Sequence, residues 1–136
     1  MIKLFDSNYD EESGISFVEI ETDYGHFCGY SFLSDEDKDI ASSFLGCELA
    51  EYRAIIQYFE KCLARVDIQI KCIEDLKNRG LVSNIVDKRL SQYENYKKEL
   101  QNNIVSLKDL INNKLENRIK IIEHMNKMKE KKLKGE

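Results

Sequence analysis

The stretch Cys47–Asn78, CELAEYRAIIQYFEKCLARVDIQIKCIEDLKN, decides the fold. Leu49, Tyr52, Ile56, Phe59, Leu63, Val66, Ile70 and Ile73 recur at spacings of 3, 4, 3, 4, 3, 4 and 3. That alternation puts them in one stripe along an α-helix, as the a and d positions of a heptad. Ile55, Tyr58 and Cys62 widen the stripe, so the helix is expected to bury more than one side, as in a bundle. Asn78-Arg79-Gly80 should stop it, with Gly in the left-handed conformation at the C-cap.

Downstream, Ser83 can cap a second helix and Asp87 sits in its first turns. Its stripe runs Val86, Leu90, Tyr93, Leu100, Ile104, Leu107 and Ile111, then Leu115, Ile119 and Ile122 at spacings of 4, 4 and 3. The eleven-residue step reads as a stutter that locally unwinds a left-handed supercoil. Met125 and Met128 extend the stripe, and EKKLKGE at the end is expected to fray. At ~1.5 Å per residue, helices over 47–78 and 82–130 are roughly 50 and 75 Å long, and a short connection folds them into an antiparallel hairpin. The overhang of about 25 Å keeps Ile119, Ile122, Met125 and Met128. Such apolar surface must pack on the chain's own strand region or on another chain, and for so elongated a molecule a homo-oligomer is expected.

Upstream, Met1–Phe5 alternates weakly, and Gly14–Thr22 and His26–Leu33 are rich in aromatic and β-branched residues. Asp23-Tyr24-Gly25 can turn the chain between them. The expectation is a small antiparallel meander, with both faces of the sheet partly covered. Ser34 with acids behind it resembles a capping box, opening a short helix over 35–44 that Gly46 ends or bends. The Asp35-Asp37-Asp39 spacing does not make a calcium loop: the sixth and twelfth positions, which need Gly and Glu, are Ile40 and Gly46. The fold class is therefore α+β and mainly α: meander and short helix over 1–45, long helical hairpin over 46–136, one continuous domain.

The composition agrees. Of 136 residues 34% are charged and none is Pro, which suits long helices. No apolar run reaches the ~18 residues of a membrane span, and Met1–Glu12 lacks the pattern of a signal peptide. Cys28, Cys47, Cys62 and Cys72 form no C-x-x-C and read as reduced thiols, mostly packed as small apolar groups, in a cytosolic protein. Residues 1–60 carry 14 acids against 3 bases, and residues 61–136 carry 11 against 18. Head and tail should face different partners, or one chain's head should meet another's tail.

Chemistry-bearing motifs are sparse. No P-loop, dinucleotide fingerprint, G-x-S-x-G or H-E-x-x-H occurs, which argues against an enzyme, and no cofactor or metal is expected. His26 and Cys28 share one face of a strand, but spacing supplies neither a third ligand nor an orienting acid. His124 reads as solvated. The Lys127–Lys134 run is mixed with acids upstream and lacks a reader motif, which argues against nucleic acid as the partner. Arg53 is the sole Arg in the first 60 residues. It either pairs with Asp37, Asp39 or Glu48, or binds an anion. Arg65, Arg79 and Arg89 could line a second surface.

Gly29-Tyr30-Ser31-Phe32-Leu33-Ser34-Asp35-Glu36-Asp37-Lys38-Asp39, followed by Gly46-Cys47-Glu48-Leu49-Ala50-Glu51-Tyr52-Arg53-Ala54, resembles a pattern in small phage-encoded proteins. In them a strand ending in G-x-[AS] leads through [PS]-x-D-x-[DF] to G-x-x-[IL]-A-x-x-R-A at the start of a long helix. The resemblance covers roughly 25–60 and extends to phage anti-Thoeris proteins that sequester a cyclic ADP-ribose signal. It implies a phage anti-defence protein acting by stoichiometric binding. One mode is sequestration of a cyclic nucleotide at a subunit interface, with Arg53 on phosphate and Tyr30, Phe32 or Tyr52 on the base. The other is capture of a host defence protein, in the manner of an anti-CRISPR inhibitor. The alternative from another class is a phage structural or scaffold coiled-coil adaptor.

Overall fold

The computed structural model describes residues 1–32, 43–81 and 83–135. Three strands, β1 (Ile2–Asp10), β2 (Ile15–Thr22) and β3 (Gly25–Phe32), form an antiparallel sheet in the order β1-β2-β3. Two helices follow, α1 (Ser43–Asn78) and α2 (Asn84–Leu133). The fold is α+β and mainly α, as the sequence indicates. The capping box at Ser34 and nearly all of the expected 35–44 helix lie outside the described residues.

Both hairpin turns depend on glycine. Asp23 and Tyr24 keep negative φ, and Gly25 takes φ +101° while pairing with Thr22. This is the arrangement of a tight turn closed by a glycine bulge. In the β1–β2 loop, Gly14 at φ +73° donates its N–H to the Asp10 carbonyl at 2.8 Å. The Asp10 carboxylate accepts from the Ser13 hydroxyl and the Glu12 amide, bonds that hold it below the usual carboxylate range.

β1 is longer than the weak alternation of Met1–Phe5 suggests. Leu4 pairs with Ile20 and Asp6 with Glu19, so Phe5 is an extra bulged residue that resets the alternation. The polar Asp6-Ser7-Asn8 run hides the rest of the strand from a hydropathy reading.

β2 alternates cleanly. Ser16, Val18 and Ile20 are buried, and the intervening residues face outward. Val18 and Ile20 meet Ala50, Ala54 and Tyr58 of α1 in a core that runs on through Cys62, Val66 and Ile70 to Leu100 of α2. Burying a side chain such as Ile20 contributes about 1.5–3 kcal/mol. A second cluster, Leu49 and Ile56 with Ile104 and Ile111, seals the helix seam. α1 is thus the middle layer, with the sheet on one side and α2 on the other.

The first turns of α1 lie unusually close to the sheet. A Cβ on Gly29 would overlap the Ala50 carbonyl oxygen and stand 2.7 Å from the Ala54 nitrogen. A Cβ on Gly46 would overlap Ser16 Oγ and stand 3.3 Å from Ser31 Oγ. Ser31 Oγ donates to the Gly46 carbonyl at 2.7 Å. Gly46 therefore does not end a helix. It lies in the first turn of α1, four and eight residues before Ala50 and Ala54 on the face that meets the sheet.

α1 ends as its sequence predicts. Leu81 N–H bonds the Leu76 carbonyl at 3.1 Å and Gly80 N–H bonds that of Lys77 at 2.9 Å, with Gly80 at φ +84°. This is a Schellman cap. Ser83 Oγ then accepts from Val86 N–H at 3.2 Å and opens α2. Three ion pairs index the antiparallel register: Lys77–Asp87 at 2.6 Å, Lys97–Asp67 at 2.8 Å and Lys114–Glu48 at 2.9 Å. With 36 and 50 residues in the helices, α2 projects past the start of α1 by roughly 20 Å at ~1.5 Å per residue.

Two details of α2 differ from the expectation. Helix continues to Leu133, so the lysine-rich end is part of it. The stutter also sits one step earlier than expected, because buried Arg118 takes the inward place assigned to Ile119, which is 55% exposed, and the two successive fours fall at Leu107–Ile111–Leu115. Ile111, Leu115, Arg118, Ile122 and Met125 keep the alternation of four and three. An arginine stem can fill such a place, but its charge conceals it in a hydropathy pattern.

Candidate functional site

The side of the sheet turned away from α1 is open. β2 and β3 pair Ile15 with Phe32, Phe17 with Tyr30, Glu19 with Cys28 and Glu21 with His26, all pointing outward. Tyr30 is 67% exposed and Phe32 64%. Phe17 and Ile15 beside them are exposed, as is Phe5 from the β1 bulge. In hydropathy neither Gly14–Thr22 nor His26–Leu33 alternates cleanly, which implies partial cover on both faces; in the structure β2 does alternate. The hairpin lies against only one, and among the described residues nothing covers the other.

Next to the aromatic block, Glu19 joins the two chemistry-bearing residues of β3. His26 Nδ1 lies 2.6 Å from one of its carboxylate oxygens, and Cys28 Sγ lies 3.7 Å from the other. The orienting acid that spacing did not supply thus comes from the neighbouring strand. His26 also stands edge-on to the Phe5 ring at 4.6 Å between centroids. This arrangement does not activate the thiol. Partial burial and the Glu19 carboxylate push the Cys28 thiol up, whereas a nucleophile needs its thiolate stabilised. Alkylation of Cys28 at pH 8 is accordingly expected to run slower than that of N-acetylcysteine. Glu19→Gln should speed it, because the nearby negative charge is gone. Residue-resolved mass spectrometry reads both rates, and an unchanged rate in Glu19→Gln would contradict the assignment.

The four residues named for a nucleotide site do not converge. Tyr30 and Phe32 project from the open face. Arg53, on α1, donates from Nη1 to the Tyr30 backbone carbonyl at 2.8 Å, tying the β3 edge to the helix. Tyr52 turns into the α1–α2 seam, where it packs with the Leu49 and Ile56 cluster and donates its hydroxyl to Glu48 at 2.7 Å. That bond, and then burial, push the Tyr52 phenol up to about 12. Glu48 is held below its usual range by Lys114 and Tyr52. Asp37 and Asp39, the other acids considered for Arg53, lie outside the described residues.

The other arginines also have definite places. Arg65 covers the Tyr24 ring at 4.3 Å, and Arg79 pairs with Asp75 at 3.2 Å. Arg89 borders a groove of 480 Å³ at the closed end of the hairpin, with Cys72, Leu76, Ile85 and Tyr93 among its walls. Only Cys62 is fully buried and Cys47 half-buried, while Cys28 and Cys72 are exposed, so the cysteines are less a core set than their apolar character suggests. Among the described residues no three metal-ligating side chains cluster, and no helix is long and apolar enough to cross a membrane.

No family model matches the chain, and no curated protein or solved structure matches it either. The class is therefore defined by architecture: a helical hairpin that carries a three-stranded sheet with an open, aromatic and acid-bordered face.

Proposed function

We propose that this protein is a non-enzymatic phage anti-defence factor that works in the host cytoplasm by stoichiometric capture of a host defence protein on the open face of its sheet. The observation that carries the binding mode is the exposed block of Phe17, Tyr30 and Phe32 with Ile15. Contiguous exposed aromatic surface with a polar border is the anatomy of a protein–protein contact. The resemblance over 25–60 supplies the anti-defence setting.

Sequestration of a cyclic nucleotide is a second reading, and one observation favours it. Arg89 and Tyr93 lie one helical turn apart on the hairpin-end groove, offering a cation for phosphate and a ring for the base. Thermal unfolding with a panel of cyclic nucleotides separates the two. A sponge gains several degrees by mass action, and Arg89→Ala removes the gain.

The main reading is tested by plating a defence-sensitive phage on defended cells that express the protein. Tyr30→Thr with Phe32→Thr should abolish the rescue of plaques at unchanged protein level. Rescue equal to that of the unaltered protein would overturn the assignment of the open face.

A further inference from the structure

We infer that in the free protein the open sheet face of one copy is occupied by the basic end of α2 from a second copy, so that two chains form a reciprocal dimer. The inference rests on the reading of that face as the binding surface, and it names what fills the face before a target arrives.

Charge gives the first argument. Residues 1–32 carry seven acids and one base. Asp6, Asp10, Glu19 and Glu21 stand on the open face around the aromatic block. Residues 119–134, at the projecting end of α2, carry six bases and two acids. Face against helix end joins opposite signs, whereas face against face or end against end brings like charges together and is disfavoured.

The apolar surfaces give the second argument. Ile121, Met125 and Met128 fall three and four residues apart, on one side of α2 beyond the reach of α1. Ile121 is 50% exposed and Met128 49%, although α1 covers the equivalent positions farther back along α2. Methionine, with its flexible thioether, packs well against aromatic rings such as Tyr30 and Phe32.

Connectivity excludes an intramolecular version. α2 is continuous helix to Leu133 and packs on the opposite side of α1 from the sheet. The open face points away from both helices, so a chain's own α2 end cannot reach it without breaking the helix. A second copy can, and the same contact repeated by a two-fold axis fills both faces and closes the assembly. A target must then displace the α2 end, so the segment captured has the same chemistry: a lysine-bearing amphipathic helix.

A charge exchange in the full chain tests the dimer. Light scattering coupled to size exclusion should give about 32 kDa for the unaltered protein, twice the 16.0 kDa chain. A face variant (Asp6→Lys, Glu19→Lys, Glu21→Lys) and an end variant (Lys127→Glu, Lys131→Glu, Lys132→Glu) should each run as a monomer with unchanged circular dichroism. Their equimolar mixture should return to the dimer mass, because each reversed face then meets a reversed end. A monomeric unaltered protein, a variant that stays dimeric alone, or a mixture that stays monomeric would each overturn the inference. The plaque assay is read separately. Loss of rescue in the Tyr30→Thr, Phe32→Thr protein without a dimer leaves the functional reading standing and removes only this one. A restored dimer with full rescue does the reverse.

Discussion

Gly29→Ala is expected to cost about 3 kcal/mol or more, at the upper end of what overpacking a tight interior costs. At this chain length that lowers the melting midpoint by roughly 10 °C. The added methyl meets helix backbone, the Ala50 carbonyl and the Ala54 nitrogen, which no rotamer change can move aside. α1 would have to lift from β3, loosening Val18 and Ile20 as well. Gly46→Ala is a graded version of the same test, because its methyl meets a side chain, Ser16 Oγ. An alanine inside a helix normally gains about 1 kcal/mol over glycine, so a net loss there reports the clash. Ser16→Ala alone should be neutral or stabilising, since its buried hydroxyl has no hydrogen-bond partner. Combined with Gly46→Ala it should recover most of the loss, a coupling that urea denaturation of the four proteins measures directly. Strict additivity would contradict the close approach of α1 to the sheet.

Tyr58→Ala is expected to cost about 3–5 kcal/mol, the range for removing a buried aromatic ring. Tyr58 is 8% exposed and lies 5.8 Å from Phe27 of β3 and 5.7 Å from Phe59 of its own helix, with Tyr24 of the β2–β3 turn at 6.2 Å. The ring thus joins the sheet to the hairpin. Tyr58→Phe keeps that packing and should cost little at neutral pH. Its effect appears in base. Burial, and then the hydrogen bond with Cys62, push the Tyr58 phenol up to about 12 from 10.0. The fold therefore favours the neutral phenol. This contribution is complete below pH 10 and is lost as pH rises from 10 toward about 12. Tyr52 titrates in the same direction over the same window. Urea midpoints should fall between pH 10 and 12, and Tyr58→Phe should make the fall shallower. Equal slopes for the two proteins would contradict burial of this phenol.

The long-range plan was legible because apolar periodicity and glycine punctuation report it without partners. The alternating stripe of α1 and the stop at Gly80 needed only helix geometry. What escaped the reading depends on close contact or on a neighbouring strand. Ala50 and Ala54 are fully buried, yet a methyl group carries too little hydropathy to mark a face. Their importance shows only when Gly29 lies beneath them. Five of the residues that carried the resemblance to phage proteins, Gly29, Ser31, Gly46, Ala50 and Ala54, belong to this contact. A pattern of that kind records how a helix meets a sheet, and it places no ligand. Glu19 was missed beside His26 and Cys28 because strand register, not sequence spacing, brings it there. Arg118 was missed because its charge masks a stem that continues the stripe. Tyr30 and Phe32, named as contacts for a base, lie exposed on the open face, whereas Tyr52 and Arg53 serve the seam and the sheet edge.

Capture on the open face and the reciprocal dimer both require that Tyr30 and Phe32 lie outside the hydrophobic core. The most direct measurement is the melting midpoint of the Tyr30→Thr, Phe32→Thr protein, since threonine retains the preference for strand. If the rings face solvent, stability changes by no more than about 1 kcal/mol, a few degrees at this size. A fall of roughly 10 °C, the size expected for Gly29→Ala, would show that these rings hold the fold together and would contradict the open face.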